Sequence, residues 1–197
     1  MTSNDNTGGS ATLSELHCEA QDLALSYIEQ IGDDQWGAST PCSEWNVRTL
    51  VNHITAGNLW VAALAEGETA DDVGTSLDGD LLGDDPVGSF RASMKTACRA
   101  FDEPGAMERI FPLSFGDVPG SLYVSQRFVD VLIHAWDVAE ATGQAASFDN
   151  ELVHRCYDVV EPWRDAIRES DAFGAEIPVE DDAATQVRLL ALLGRCA

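Results

Sequence analysis

The chain has 197 residues, enough for one domain with an extension, and its 45% of hydrophobic residues rules out a disordered chain. Eleven Lys and Arg against 34 Asp and Glu give a formal net charge of −23. Such a field repels phosphate backbones and anionic lipid headgroups, so nucleic acid and membrane surfaces are excluded as expected partners. The charge itself says little about the chemistry.

The sequence predicts a cytoplasmic protein. No run approaches the roughly 18 consecutive apolar residues of a membrane span, and the N-terminus has neither the basic start nor the apolar run of a secretion signal. The five cysteines fall at irregular spacings without a CxxC pair. This pattern argues against both a disulfide framework and a thiolate zinc site, and it favours reduced cysteines that serve as small packing residues.

The first half of the chain predicts a flexible tail followed by two helices. Residues 1–10 are polar and Gly-rich, which is typical of a loose terminus. Apolar residues then recur every three or four positions over 11–31, the spacing of an amphipathic helix. After a turn rich in Gly, Pro and small polar residues, Ser43 or Asn46 can cap a second helix over 47–66.

A long loop separates the second helix from the third. Residues 67–85 are acidic and Gly-rich, and Asp85 with Pro86 makes a favourable N-cap and first position for a helix that continues to Phe101. Segment 107–120 then mixes apolar residues with turn formers. We expect it to be a short hairpin or an irregular loop packed on the bundle.

Three further helices complete the prediction. The fourth covers 121–142, with Ser121 as its cap and Gly143 at the position just past its end, where a left-handed residue is favoured. The fifth begins near Asp149 and is kinked or split by Pro162. The segment AATQVRLLALLG indicates a short sixth helix.

These elements predict an all-α fold. The sequence has no internal repeat and no convincing run of strands, and a series of amphipathic helices is typical of a helix bundle. We expect a bundle over residues 11–145 and a C-terminal helical extension over 146–197 packed on it.

Charged residues interrupt the otherwise apolar fourth helix in the segment DVLIHAWD. On a helical wheel Asp130, His134 and Asp137 fall within one narrow strip, and every other residue from 128 to 139 is apolar. An unpaired buried charge costs several kcal/mol. The strip must therefore face water, be paired, or coordinate an ion.

His53 of the second helix is the predicted partner of this strip. It lies on the shoulder of an apolar stripe, and bundle metal sites combine such residues from facing helices. Together with Asp130 and His134 it would give three N and O ligands and leave positions open for water or substrate. Asp137 would orient one imidazole through its second N–H. The alternative is an ordinary i,i+4 pair on the helix surface beside a satisfied histidine at the core edge.

Three segments taken together resemble one family. They are TPCSEWNVRTLVNHI, FVDVLIHAWDVAEATG and RLLALLGR, and they occur in the family's order. The sequence is similar in them to actinobacterial metal-binding proteins related to the N-terminal domain of mycothiol-dependent maleylpyruvate isomerase, within the DinB-like superfamily. The resemblance implies a DinB-like four-helix bundle that holds a divalent metal.

By position, the resemblance assigns the metal to the same three residues, His53, Asp130 and His134. It implies zinc first, with nickel or another divalent ion as alternatives. Asp130 stands where the isomerase has Glu, and its shorter arm is expected to shift the ion or admit a water. The isomerase also has a larger C-terminal domain that helps to form its active site, so its activity does not follow from the resemblance alone.

The activity implied is metal-assisted thiol chemistry. The ion would favour the thiolate of a low-molecular-weight thiol such as mycothiol and hold it against a small electrophilic substrate, as a transferase or an isomerase does. Trp60 and Trp136 are candidate pocket walls, although their spacing also suits a plain core. Trp45 is predicted to be a structural staple at the entry to the second helix.

Two other functions stay open at this point. One is a non-catalytic metal or small-ligand binding module of the same fold, and the other is a bundle that serves stability or dimerisation with a vestigial site. The sequence is compatible with a monomer or a homodimer.

Overall fold

Eight α-helices, one 3₁₀ turn and one two-stranded sheet make up the computed structural model, which describes residues 11–169 and 173–196. The predicted flexible tail lies outside the described residues. None of the helices in the described ranges is long and apolar enough to cross a membrane. The helices are α1 (Leu13–Ile28), α2 (Val47–Ala65), α3 (Ala70–Val73), α4 (Pro86–Asp102), α5 (Gly120–Ala141), α6 (Asn150–Val160), α7 (Arg164–Arg168) and α8 (Thr185–Leu192).

Four long helices, α1, α2, α4 and α5, form the bundle. α1 packs against α5 and α4, while α2 packs against α4 and α5. α5 is buried on nearly every side, as its apolar composition predicts, and only Asp130 interrupts a buried run from residue 127 to 139. The predicted all-α four-helix bundle is confirmed.

Two helix starts follow the predicted caps. The Asn46 side chain accepts a hydrogen bond from the backbone N–H of Thr49 at the start of α2. Asp85 likewise accepts one from Gly88 ahead of α4, with Pro86 in the first position. Each cap satisfies an N–H group that the helix itself leaves without an acceptor.

The start of α5 differs from the prediction, because Ser121 does not cap it. The helix begins at Gly120, and Pro119 before it makes no side-chain cap. Instead, the backbone N–H groups of Gly120 and Ser121 donate to the carbonyls of Arg109 and Met107. Tertiary contacts thus replace the local cap that the sequence suggested.

The segment before α5 is a β-hairpin, which was one of its two predicted forms. Strands β1 (Ile110–Leu113) and β2 (Gly116–Pro119) pair antiparallel, in register from Ile110↔Pro119 to Leu113↔Gly116. Phe111 on β1 and Val118 on β2 are buried against a small aromatic cluster beneath the hairpin. Phe115, in the turn, is 71% exposed.

The acidic segment between α2 and α4 is held in place more firmly than a plain loop. It contains the short helix α3, which a capping box at Thr69 starts. Asn52 of α2 accepts from the N–H of Leu81 and donates to the carbonyl of Gly79, and Arg48 forms an ion pair of 2.7 Å with Asp80. The segment therefore packs along α2.

The C-terminal residues return to the bundle. Pro162 splits the fifth predicted helix as expected, into α6, a 3₁₀ turn (Glu161–Trp163) and α7. Leu152 of α6 and Leu189 of α8 are buried in the same core as the bundle helices. α8 thereby carries the residues after it, including Arg195, to the side of α5.

One prediction about the cysteines is wrong. The sulfur atoms of Cys18 in α1 and Cys98 in α4 are bonded, with their Cα atoms 5.6 Å apart. Cys42, Cys156 and Cys196 are free, as predicted. The two bonded residues are 80 positions apart in the chain, so only the packing of α1 on α4 makes them neighbours, and no local spacing signals it.

Candidate metal centre

The three predicted metal ligands meet where α2 crosses α5. Oδ1 of Asp130 lies 3.4 Å from Nε2 of His53 and 3.4 Å from Nε2 of His134. The two imidazole rings are 5.2 Å apart and stand edge to face. One candidate ligand atom from each of the three residues lies within 4.8 Å of the other two. The structure thus brings all three residues to one point.

These spacings fit an ion better than they fit hydrogen bonds. A separation of 3.4 Å exceeds the usual N–H···O range of about 2.7–3.2 Å. Zinc ligands at about 2.0–2.2 Å and tetrahedral angles are about 3.3–3.6 Å from each other. The Asp130 oxygen therefore lies at coordination spacing from each ring nitrogen, and all three atoms lie within 4.8 Å of one another.

Asp137 sits behind the ligands and fixes the ring of His134. Its carboxylate is fully buried, and Oδ2 lies 2.9 Å from Nδ1 of His134. A carboxylate there accepts a hydrogen bond from Nδ1–H and leaves Nε2 available to an ion. Arg195 donates to the same carboxylate, from Nη2 at 2.8 Å and from Nε at 3.2 Å. Burial opposes the charge of Asp137, but His134 and Arg195 hold its pKa below the usual value.

Arg127 orients the remaining ligand, Asp130. Its Nη1 donates to Oδ2 of Asp130 at 2.7 Å, and its Nη2 donates to the carbonyl of Ile54 and to Oδ1 of Asn58, both at 3.3 Å. Although burial alone would raise the pKa of Asp130, Arg127 and His134 hold it well below its usual range. Asp130 is thus ionised, with one oxygen occupied by Arg127 and the other turned to the imidazoles.

Gly57 makes room for the Arg127 guanidinium, and this gives a first prediction. A Cβ at this α2 position would collide with the guanidinium. Gly57→Ala should therefore displace Arg127 from Asp130 and weaken metal affinity by about tenfold, the lower range for losing such a supporting contact. Metal titration of purified wild type and Gly57→Ala measures the difference in affinity.

The matched control is the same substitution at a glycine with open space around it. Gly37 lies in the turn ahead of α2, and a Cβ added there meets no neighbouring atom within 4 Å. Gly37→Ala should therefore leave the metal affinity unchanged. At position 57 the higher helix propensity of alanine offsets part of the stability lost by displacing the guanidinium, so the variant should still fold. Equal affinities for wild type and Gly57→Ala would contradict the role given to Arg127.

A cavity of about 1170 Å³ opens over the three ligand residues. Trp60 lines it, as predicted. Trp136, the other candidate wall, instead takes the plain-core position that the sequence also allowed: its side chain is 4% exposed, lies in the main core and does not line the cavity. Trp45 does reach it, with its ring 4.6 Å from that of His53 and 5.8 Å from that of His134. Its position against both imidazoles goes beyond the structural role that the sequence suggested.

Sequence reasoning also missed three polar side chains at the site, which are Cys42, Arg127 and Arg195. The Cys42 thiol donates to Oδ2 of Asp137 at 3.3 Å and accepts from Nη2 of Arg195 at 3.2 Å. Arg127 stands one helical turn before Asp130, and that spacing was a usable signal. Cys42 and Arg195 lie within the first and third segments of the resemblance, but no local pattern links either to α5.

Fold and site together define a helical-bundle protein with a candidate three-residue metal centre at the base of a cavity. The family model of the mycothiol maleylpyruvate isomerase N-terminal domain matches residues 17–139. The chain belongs to that family. The uncharacterized proteins MT0763 and Rv0738 of Mycobacterium tuberculosis are each 36% identical to it over 136 residues, which cover 69% of this chain and 70% of theirs.

A solved structure agrees with the fold. The crystal structure of the mycothiol-dependent maleylpyruvate isomerase superposes with a TM-score of 0.58 at 15% sequence identity, over 79% of this chain and 71% of that one. At this identity the likeness concerns the fold alone. The DinB-like bundle expected from the sequence is thereby confirmed.

Proposed function

We propose that this protein binds a divalent metal, zinc in the first place, through His53, Asp130 and His134, and acts as a metal-dependent thiol transferase or isomerase. The single observation that carries the proposal is the convergence of these three ligand atoms, at coordination spacing, on the floor of a large cavity. Nickel or another divalent ion would suit the same N and O donors.

A metal held here would supply Lewis-acid chemistry, lowering the pKa of a bound thiol so that thiolate is present near neutral pH. The protein's own residues prepare the place for it. Asp137 holds the Nδ1 proton of His134, and Arg127 fixes the rotation of Asp130. The Trp45 ring packs beside both imidazoles, 4.6 Å from the ring of His53 and 5.8 Å from that of His134.

The thiol cosubstrate is proposed from the family. The matching family model and the solved relative both carry mycothiol in their names. We therefore propose mycothiol, or a similar cysteine-derived thiol, as the molecule that enters the cavity above the ligands. The electrophile would occupy the remaining space.

The metal part of the proposal is tested by metal analysis of the purified protein. Wild type should contain close to one divalent ion per chain, and His53→Ala and His134→Ala should each lose it, because two remaining ligands bind too weakly to survive purification. His154→Ala, at an exposed histidine of α6, is the matched control and should keep the ion. Metal retained in both site variants would defeat the assignment.

Catalysis is tested separately from binding. Metal-loaded protein is incubated with mycothiol and, in separate reactions, a conjugated enedioate and a conjugated enone, and the loss of the double bond is followed by absorbance. Turnover that disappears in Asp130→Ala supports an enzyme. Tight thiol binding without conversion would instead support the non-catalytic binding module.

A further inference from the structure

Two groups of apolar side chains line the part of the cavity called here the upper cavity. One wall comes from the hairpin turn, with Leu113 and Phe115, and the other from the C-terminal extension, with Trp163, Ile167 and Phe173. Phe115 is the most exposed large hydrophobic side chain in the described ranges, at 71%. Aromatic side chains offer flat apolar area to a ligand at low entropic cost.

The charged groups of the cavity are already paired. Arg127 donates to Asp130 at 2.7 Å, and Arg195 donates to Asp137 at 2.8 Å. Of the other described lining residues, His134 lies between two carboxylates, 3.4 Å from Asp130 and 2.9 Å from Asp137, and Glu44 adds a negative charge. A dicarboxylate in the upper cavity would therefore be desolvated without a free cation to face it. The net charge of −23 adds a long-range repulsion of dianions.

The cavity also has room for two reactants. Its volume of about 1170 Å³ exceeds the roughly 300–1,000 Å³ that is usual for a pocket holding one drug-sized ligand. A thiol at the metal ligands would occupy the floor, and the apolar walls stand above it. The second reactant is the one that these walls contact.

We infer that the electrophile is an uncharged aromatic or bulky apolar compound, and not a small dicarboxylate. This inference rests on the proposed function. The reaction is redox-neutral: the thiol sulfur bonds to the β-carbon of a conjugated enone, the C=C π bond opens, and the thiol proton ends on the α-carbon. Leu113, Phe115 and Trp163 would pack against the apolar body of the acceptor.

A binding experiment tests the inference without requiring turnover. By titration calorimetry, metal-loaded protein should bind 4-phenylbutan-2-one, an unreactive aromatic ketone, at least tenfold more tightly than succinate. Phe115→Ala and Trp163→Ala should each weaken ketone binding by roughly tenfold, the order expected for removing a large aromatic contact. Ile110→Ala changes an exposed hydrophobic residue of the same hairpin outside the cavity lining, and should have no effect.

The reactive pair completes the test. With mycothiol present, kcat/KM should be higher for 4-phenylbut-3-en-2-one than for fumarate, and Phe115→Ala should raise KM for the enone while metal content stays unchanged. Succinate binding as tightly as the ketone, or ketone binding unchanged in both aromatic variants, would overturn the inference. Preferred turnover of fumarate by a metal-loaded enzyme would also overturn it while leaving the proposed function in place.

Discussion

Replacing Arg195 by methionine should lower the free energy of unfolding by about 3–5 kcal/mol, because it removes the guanidinium from a fully buried carboxylate and leaves that charge to His134 and Cys42 alone. Asp137 is fully buried and receives two hydrogen bonds from this guanidinium. Burial disfavours its charged form, and the pKa of Asp137 is held below the usual value in part by Arg195. Urea denaturation of the metal-free Arg195→Met variant measures the loss.

Two variants separate the buried pair from charge effects in general. Asp137→Leu combined with Arg195→Met removes both charges and should recover most of the stability, since an apolar pair of similar volume replaces a buried ion pair at little cost. Arg91→Met breaks the exposed pair with Glu29 and should cost about 1 kcal/mol or less. Equal losses in Arg91→Met and Arg195→Met would contradict the prediction.

The same double variant distinguishes stability from metal binding. Leucine at position 137 cannot accept the hydrogen bond from Nδ1–H of His134. Metal affinity should therefore fall by about 10–100-fold even where stability returns. A double variant with both wild-type stability and wild-type metal affinity would show that Asp137 serves the fold alone. The C-terminal extension thus reaches the site through Arg195 and Asp137.

The convergence of the three candidate ligand residues could be predicted because helical periodicity carried the information. Asp130 and His134 share a strip of α5 that its apolar neighbours make conspicuous, and His53 stands on the shoulder of the facing stripe. The caps of α2 and α4 were predictable for a similar reason, since each depends on residues within three positions. Local patterns of this kind survive folding whenever tertiary contacts do not compete with them.

What could not be predicted depends on distant contacts. Arg195 reaches Asp137 across 58 positions, and Cys42 lies 95 positions from the same carboxylate. Trp136 follows the periodicity of a helix that is buried all round, so the sequence does not say which buried face meets the cavity. Ser121 lost its cap because carbonyls ahead of the hairpin satisfy the first N–H groups of α5.

The short arm of Asp130 is matched by its surroundings. The sequence-based expectation was that aspartate in place of glutamate would shift the ion or admit a water. That expectation stays a prediction; Oδ1 lies 3.4 Å from Nε2 of each imidazole, while Arg127 holds Oδ2. Arg127 and Gly57 therefore act together on Asp130. Arg127 orients the carboxylate, and Gly57 leaves space for the Arg127 guanidinium.

Removing the Cys18–Cys98 bond should give the second large loss of stability. The bond joins α1 to α4 across 80 positions, and closing a loop of that length restricts the unfolded chain enough to contribute about 4 kcal/mol in the chain-entropy description. Cys18→Ser/Cys98→Ser should therefore unfold at clearly lower urea than wild type. Wild type in a strong thiol reductant should unfold at the same urea concentration as the double variant. Cys196→Ser changes an exposed free cysteine and should unfold at the same urea concentration as untreated wild type.

The location of this bond makes the prediction specific. His53 and Asp130 lie on α2 and α5, so the folded double variant should keep its metal although it unfolds more easily. Loss of metal before unfolding would show that the packing of α1 on α4 sets the ligand geometry. Unchanged urea midpoints in both the variant and the reduced wild type would show that helix packing alone holds α1 against α4.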